Sequence, residues 1–251
     1  IGARVDRLFS RSGWESAGSA EAFDVKGQVR HRTSFTCARR GVPIVPKYDP
    51  NVDLPRPHLQ SALVVGPESE EVWCDEYGRI KVRFPTTRSQ DHEHAHGAGS
   101  SDSEGDSAFV RVASHWAGNG PGSMQQCGGE FLPRIGSEVL IDFLGGDPDK
   151  PIVVGQLYNS VGVPPALSEL GGLPGNRYQS GIKSREIGSD RANQLRFDDT
   201  KGQISAQLAS DHGHSELNLG YLTVPRADGK AEPRGEGAEL RSNLAVALRG
   251  A

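Results

Sequence analysis

The stretch FLGGDPDKPIVVGQLYN (143–159) contains two apolar runs joined by seven residues, GGDPDKP. Before the joining segment, Ile141 and Phe143 alternate with Asp142, and after it Ile152 begins a second apolar run. Alternation of apolar and polar residues is typical of a strand with one buried face. Glycine, aspartate and proline are the residues from which turns are built. The stretch therefore predicts a β-hairpin with a loop at its tip.

This hairpin is the last part of a series of five candidate strands. In RIKVRF (79–84), apolar and basic residues alternate, which predicts one buried and one exposed face. Five short strands within about 100 residues predict a small closed barrel such as the five-stranded OB-fold. The hairpin then supplies the last two strands and closes the barrel. The candidate strands are 61–66, 79–84, 109–114, 138–144 and 152–158.

The composition argues against a single self-sufficient core. Hydrophobic side chains make up 35% of the 251 residues, and the chain has 32 glycines and 16 prolines. Because glycine has displaced core-forming side chains, we expect short strands, many turns and some burial against other chains. The net charge of -4 gives little support for a nucleic-acid or membrane partner. No stretch approaches the roughly 18 apolar residues of a membrane span.

The cysteines indicate the compartment in which the protein folds. Cys37, Cys74 and Cys127 are widely spaced and include no CxxC pair, which argues against a disulfide framework and a zinc site. We therefore expect folding in a reducing cytoplasm.

The chain starts at Ile1 and has a single methionine, so we expect it to be a fragment of a longer protein.

The flanks of the barrel differ from it in pattern. The proline-rich tract VPIVPKYDPNVDLPRPH (42–58) predicts an extended connector and a boundary near residue 60. Residues 161–192 lose periodicity and predict a linker. From 193 to 251, short bursts of alternation return, each followed by a polar turn. Strands so short and interrupted need stacked neighbours or copies from other chains to bury a core.

Five sequence blocks follow one another in an order that is found in a known family. They are DEYGRIKVRF (75–84), RVASHWAGNGPGS (111–123), FLPRIGSEVLIDFLGGDPDKPIVVGQLYN (131–159), SGIKSRE (180–186) and NQLRFDD (193–199). These blocks resemble the central region of VgrG, the valine-glycine-repeat spike protein of type VI secretion systems, which is similar to phage tail spike and hub proteins. The resemblance covers roughly residues 60–245, and residues 1–60 resemble, less distinctly, the end of the preceding hub domain.

The resemblance implies an all-β homotrimer with three OB barrels around an axis, followed by an intertwined β-helix or prism. It also implies contact with the tube of Hcp rings, a PAAR-repeat protein at the tip, an effector or effector adaptor as cargo, and injection from the bacterial cytoplasm into a target cell. The expected domains are a hub-like end with its connector (1–60), the OB barrel (61–160), a linker (161–192) and the start of the shaft (193–251). Six side chains are expected at the trimer interface: Leu195, Phe197, Ile204, Leu208, Leu217 and Leu219.

Two alternatives to a secretion spike stay open. One is the spike or hub protein of a contractile phage tail or related injection particle. The other is the carrier portion of a spike whose C-terminal effector enzyme domain lies outside this sequence. Within these residues we expect no enzyme and no cofactor, because no GxSxG elbow, phosphate loop, HExxH motif or paired catalytic carboxylate set occurs.

A histidine-rich loop offers a possible metal site. In DHEHAHG, His92, His94 and His96 occupy every second position, so in a strand all three imidazoles could reach one ion. The surrounding loop (85–108) is polar and rich in glycine, and a preformed site needs rigidity. We therefore expect a mobile loop without a metal site.

The basic residues Arg79, Lys81 and Arg83 form a row that could bind nucleic acid if stacking aromatics accompanied it. We assign Phe84, Phe109 and Phe143 to the barrel core and interpret the row as an ordinary exposed strand face.

The remaining candidates are two aspartate-containing turns and a tryptophan. We interpret GGDPDKP (145–151) and DDTKG (198–202) as turns and not as calcium loops. Trp116, in a glycine-rich segment, is expected to be a packing anchor.

Overall fold

The computed structural model describes residues 47–86, 103–118, 127–229 and 231–250, together with the backbone of three strands nearer the N-terminus. His92, His94 and His96, and most of the loop that we expect to be mobile, lie outside the described residues.

The chain divides into two units, Ile1–Pro55 and Arg56–Ala251. In the first unit, β1 (Ala3–Ser10) lies between β2 (Gly13–Ser16) and β3 (His31–Cys37) in an antiparallel sheet. In the described part of the chain, no helix is long and apolar enough to cross a membrane.

The second unit begins with seven strands, of which five form a closed barrel. The seven are β4 (Gln60–Val65), β5 (Ile80–Arg83), β6 (Phe109–Val112), β7 (Ala117–Gly118), β8 (Cys127–Gly128), β9 (Glu138–Phe143) and β10 (Pro151–Leu157). The order around the barrel is β10-β6-β5-β4-β9, while β7 and β8 pair separately.

The hairpin predicted from the sequence consists of β9 and β10, which pair antiparallel. Strand β9 also pairs with β4, and β10 pairs in parallel with β6. These two pairings close the barrel, so the predicted role of the hairpin is confirmed. Pro151 begins β10, where proline is tolerated because a strand's first residue can do without its amide hydrogen bond.

The barrel core consists mainly of β-branched side chains, which suit a pleated surface. Phe84 and Phe143 pack against this core as predicted, whereas Phe109 is not part of it. Since Val110 takes the inward position in β6, its neighbour Phe109 points outward. The buried core residues are Ala62, Val64, Ile80, Val82, Val110, Val139, Ile141 and Val153.

A five-stranded antiparallel sheet, here named the C-terminal sheet, follows the barrel. Its strands run in chain order as β11 (Gln179–Lys183), β12 (Asn193–Asp198), β13 (Ser205–Ser210), β14 (Ser215–Thr223) and β15 (Pro233–Arg241). Strand β11 lies within residues 161–192, which the sequence analysis assigns to a linker. The sequence of β11, QSGIK, contains a single large apolar residue, so it carries no readable alternation.

Candidate functional site: the two faces of the C-terminal sheet

One face of the C-terminal sheet carries a continuous row of aliphatic side chains. Ile182 pairs with Leu195, which pairs with Leu208. Leu208 in turn pairs with Leu217, and Leu217 pairs with Leu240. Because directly opposed residues project on the same side of a sheet, the row spans all five strands.

A second row lies two residues away on the same face. Phe197 pairs with Ala206, Ala206 with Leu219, and Leu219 with Ala238. Ile204 lies two residues before Ala206 and continues the same side. We name the two rows the apolar face, whose large residues are Ile182, Leu195, Phe197, Ile204, Leu208, Leu217, Leu219 and Leu240.

The apolar face is open in the single chain. Its large side chains range from 38% exposed at Leu195 to 70% at Ile204. In β12, by contrast, Gln194 and Arg196 are half-buried and Asp198 is buried. The polar side of this strand is thus more buried than the apolar side, the reverse of the usual arrangement.

The opposite face carries a hydrogen-bonded polar row. Gln194 Nε2 donates to Gln207 Oε1 at 2.8 Å. Gln207 Nε2 donates to Asn218 Oδ1 at 3.0 Å, and Asn218 Nδ2 donates to Glu239 Oε2 at 2.9 Å. Glu239 also accepts hydrogen bonds from the Arg234 guanidinium. These bonds are the main reason that the pKa of the Glu239 carboxyl lies below its ordinary value.

Residues 166–168 form a strap across this polar face. Lys183 Nζ donates to the Ala166 carbonyl at 3.0 Å. The Leu167 carbonyl accepts from Gln194 Nε2 at 3.3 Å and from Arg196 Nη1 at 3.2 Å. Burial lowers the pKa of Arg196. The chain therefore covers part of its own polar face, while the apolar face stays open.

A buried ion pair lies beside the strap. Arg226 Nε and Asp198 Oδ2 are 2.7 Å apart, and their side chains are 1% and 3% exposed. Gln179 Nε2 donates to the same oxygen at 3.2 Å, and the amide of Thr200 donates to Asp198 Oδ1 at 3.1 Å. Burial alone would raise the pKa of Asp198, but hydrogen bonds from Thr200, Arg226 and Gln179 outweigh it and lower the pKa.

The backbone of Arg226 joins the same cluster to the strap. Its carbonyl accepts from Ser168 Oγ at 2.7 Å and from Asn176 Nδ2 at 2.9 Å. The amide of Gly229 donates to Asn176 Oδ1 at 3.0 Å. This cluster thus connects three segments: the chain before β11, the β12–β13 turn and the β14–β15 turn.

The segment DDTKG is predicted to be a turn, and the hydrogen bond from the Thr200 amide to Asp198 confirms that chemistry. Arg226 is not predicted as a partner of Asp198, because it lies 28 residues away along the chain and no local pattern marks it. In GGDPDKP, the amide of Asp149 donates to Asp147 Oδ1 at 3.0 Å, and Lys150 forms an ion pair with Asp147 at 2.7 Å. This segment also has the predicted turn chemistry.

The basic row on the barrel is accompanied by aromatic rings, contrary to expectation. Lys81 Nζ lies 5.3 Å from the ring centre of Trp73 and 5.1 Å from that of Phe109. The Arg79 guanidinium lies 5.2 Å from the ring centre of Tyr77 and forms an ion pair with Asp75 at 2.6 Å. The chain's own cations already lie over these rings, so the rings are poorly placed to stack on a base.

The last two candidates from the sequence are the packing role of Trp116 and a metal site. Trp116 is 63% exposed, so its prediction as a packing anchor is wrong. Within the residues that the structure describes, no group of three histidine, cysteine, aspartate or glutamate side chains could hold a metal ion.

Two family models match separate parts of the chain. The model described as the type VI secretion system/phage-baseplate injector OB domain matches residues 72–158, which contain most of the barrel. The model described as the putative type VI secretion system Rhs element Vgr matches residues 185–251, which contain β12 to β15.

Curated relatives match across both parts. The chain is 47% identical over 201 residues to the type VI secretion system spike proteins VgrG2a and VgrG2b of Pseudomonas aeruginosa, and each match covers 79% of the chain. It is 37% identical over 163 residues, 65% of the chain, to the actin cross-linking toxin VgrG1 of Vibrio cholerae. These matches cover 21%, 18% and 13% of the respective relatives, so the chain spans about a fifth of the length of the first two.

Proposed function

Because the chain belongs to the VgrG spike proteins of type VI secretion systems, we propose that it forms the OB barrel and the start of the shaft of a homotrimeric, membrane-puncturing spike. In this proposal, the apolar faces of three C-terminal sheets meet at a three-fold axis. The six interface residues predicted from the sequence, Leu195, Phe197, Ile204, Leu208, Leu217 and Leu219, then lie at that axis together with Ile182 and Leu240.

The inverted burial of the C-terminal sheet carries this proposal. An exposed apolar face of eight large side chains is typical of a surface that another protein covers. The strap occupies part of the polar face, which leaves the apolar face for a partner. Completing the burial of each side chain contributes about 1 kcal/mol, since each is already partly covered, and the total over three copies would stabilise the assembly strongly.

The partners of the spike are part of the same proposal. We expect the assembly to sit on the tube of Hcp rings, to carry a PAAR-repeat tip protein and to deliver an effector or effector adaptor. It would be made in the bacterial cytoplasm and injected into a target cell by the secretion apparatus. The match of residues 185–251 to the Vgr model favours secretion over a phage tail, since the injector OB description covers both kinds of particle.

We also propose that these residues have a structural, non-enzymatic role. The Pseudomonas aeruginosa relatives are named as spike proteins, which supports this role. The Vibrio cholerae relative is named as a toxin, which supports the idea that the same spike architecture can also act as a carrier of an enzyme.

The oligomeric state tests the proposal. Light scattering on the unmodified chain at tens of micromolar is expected to give the mass of a trimer. The double variant L217D/L219D should reduce the trimer to monomer or fray its C-terminal sheet, because it places charged carboxylates on the face that must be buried. A monomeric or dimeric parent chain, or a double aspartate variant as stable as the parent trimer, would contradict the proposal.

The matched control is V161D/V163D, which has the same spacing and the same chemistry. Both valines are highly exposed, at 91% and 68%, and they lie between β10 and β11, outside the strands of the C-terminal sheet. This variant should remain a trimer.

A further inference from the structure

Glu71 lies in the loop between β4 and β5, and its backbone is fixed to the barrel. Its carbonyl accepts a hydrogen bond from the amide of Ile135 at 3.0 Å. The side chain of Ile135 packs against the barrel core. Since the backbone of Glu71 is anchored in this way, its carboxylate starts from a fixed position on the barrel.

The carboxylate of Glu71 reaches the C-terminal sheet. Oε1 accepts a hydrogen bond from the amide of Gly188 at 2.8 Å, and Oε2 accepts one from Arg185 Nη2 at 3.2 Å. Gly188 and Arg185 belong to the turn between β11 and β12. A hydrogen bond to an ionised carboxylate is shorter and stronger than one between neutral groups, so this contact is well suited to join two elements.

Arg134, from the loop before β9, completes the contact. Its Nη1 donates to Glu71 Oε2 at 2.8 Å, and its Nη2 donates to the carbonyl of Arg185. The Gly188 amide bond, more than any other cause, holds the pKa of Glu71 below its ordinary value. The carboxylate is therefore ionised at neutral pH, as both arginines require.

The turn that Glu71 contacts has hydrogen bonds between its two arms. The amide of Glu186 donates to the Arg191 carbonyl at 2.8 Å. The Arg191 guanidinium also forms two hydrogen bonds with the Glu186 carboxylate, at 2.6 and 2.5 Å. These contacts tie the two arms of the turn to each other, so holding one edge of it helps to position the β11–β12 end of the sheet.

We propose that Glu71, with Arg134 and Arg185, forms a joint that holds the β11–β12 end of the C-terminal sheet on the barrel. The covalent connection between the barrel and the strap includes residues 160–165, which are all exposed and by themselves would leave this orientation loosely defined. The joint lies within one chain, so the inference does not rest on the proposed trimer.

Hydrogen exchange of the turn tests the joint. In the variant E71A, the amides of residues 184–190 should exchange roughly fivefold faster, because the Gly188 amide loses its acceptor and Arg185 loses its partner. Exchange in the barrel strands should stay unchanged. The matched control is E70A, since Glu70 is an exposed neighbour whose side chain makes no hydrogen bond or ion pair within the described residues.

A second variant approaches the joint from the sheet. R185Q leaves the barrel untouched and should accelerate hydrogen exchange over the same turn. The double variant E71A/R185Q should exchange only slightly faster than the faster single variant, because both changes break the same Glu71–Arg185 contact. The joint is disproved if exchange over 184–190 is unchanged in E71A. It is equally disproved if the two effects add fully, or if faster exchange in E71A spreads evenly over the barrel.

Discussion

Replacing Arg226 with methionine should strongly destabilise the C-terminal sheet. The variant keeps much of the side-chain volume but leaves the Asp198 carboxylate, 3% exposed in the folded chain, without its ion-pair partner. It also removes the hydrogen bond from Arg226 Nη1 to Gln203 Oε1 at 2.8 Å. Removing one partner of a buried pair costs about 3–5 kcal/mol.

The lower end of that range applies here, because Asp198 keeps its hydrogen bonds from Gln179 and from the Thr200 amide. We therefore expect R226M to lower the free energy of unfolding by about 3 kcal/mol. For a domain of this size, the melting temperature should fall by about 6–12 °C. Thermal unfolding followed by circular dichroism measures the shift, and hydrogen exchange locates it in the C-terminal sheet.

Two further variants separate pairing from other causes. R226M/D198N removes the uncompensated charge and should recover a substantial part of the loss. R234M breaks a more exposed ion pair with Glu239, whose two side chains are 32% and 26% exposed, and should cost at most about 1 kcal/mol. The reasoning is refuted if R226M is no more destabilising than R234M, or if the double variant is as unstable as R226M.

Three other predictions concern acid, backbone strain and nucleic acid. The pKa of Asp198 is lowered in the folded chain, so its stabilising contribution is present at neutral pH and lost as the pH falls through that lowered pKa; D198N should flatten this part of the acid-unfolding curve. Gly220 has φ +95° and an added Cβ would lie 2.6 Å from the Ile204 carbonyl oxygen, so G220A should cost about 1–3 kcal/mol in denaturant unfolding. G202A, at φ +78° with no atom within 4 Å of the added Cβ, should cost less. Titration with single-stranded DNA should give no strong binding at physiological salt. The net charge is -4, and the rings of Trp73 and Tyr77 already lie under Lys81 and Arg79. Salt-sensitive sub-micromolar binding would contradict this prediction.

The barrel could be predicted from the sequence because its signals are local. Strands β9 and β10 adjoin one short turn, and the residues of that turn determine its geometry without reference to the rest of the chain. Alternation then identifies the inward side of each barrel strand, as at Ile80 and Val82. In β6 alternation alone left two possible inward sides, and the assignment of Phe109 to the core chose the wrong one, since Val110 is the buried residue.

The C-terminal sheet was predictable only in part. Leu208 and Leu217 stand in short alternating runs, and their placement on one face agrees with the sequence. Ile182 and Leu240 share that face, but glycines and charged residues surround them in β11 and β15, so no apolar period marks them. Only the pairing register shows that they extend the same row.

The side-chain contacts between distant segments could not be predicted from the sequence. Arg226 and Asp198 are 28 residues apart, and Glu71 and Gly188 are 117 residues apart. A charged residue in a turn is usually solvated, so the sequence alone gives no reason to bury Arg226 against Asp198 or to join Glu71 to a distant turn. These contacts depend on the path of the whole chain.

The strap over the polar face has a consequence for the fidelity of assembly. A copy that approached the polar face would meet the strap, whose carbonyl groups already accept hydrogen bonds from Lys183, Gln194 and Arg196, and it would gain little apolar contact there. Because each chain can form this strap before it meets another, mispaired encounters would dissociate quickly while correct ones persist. In the proposed trimer, the strap would therefore favour assembly through the apolar face over assembly through the polar face.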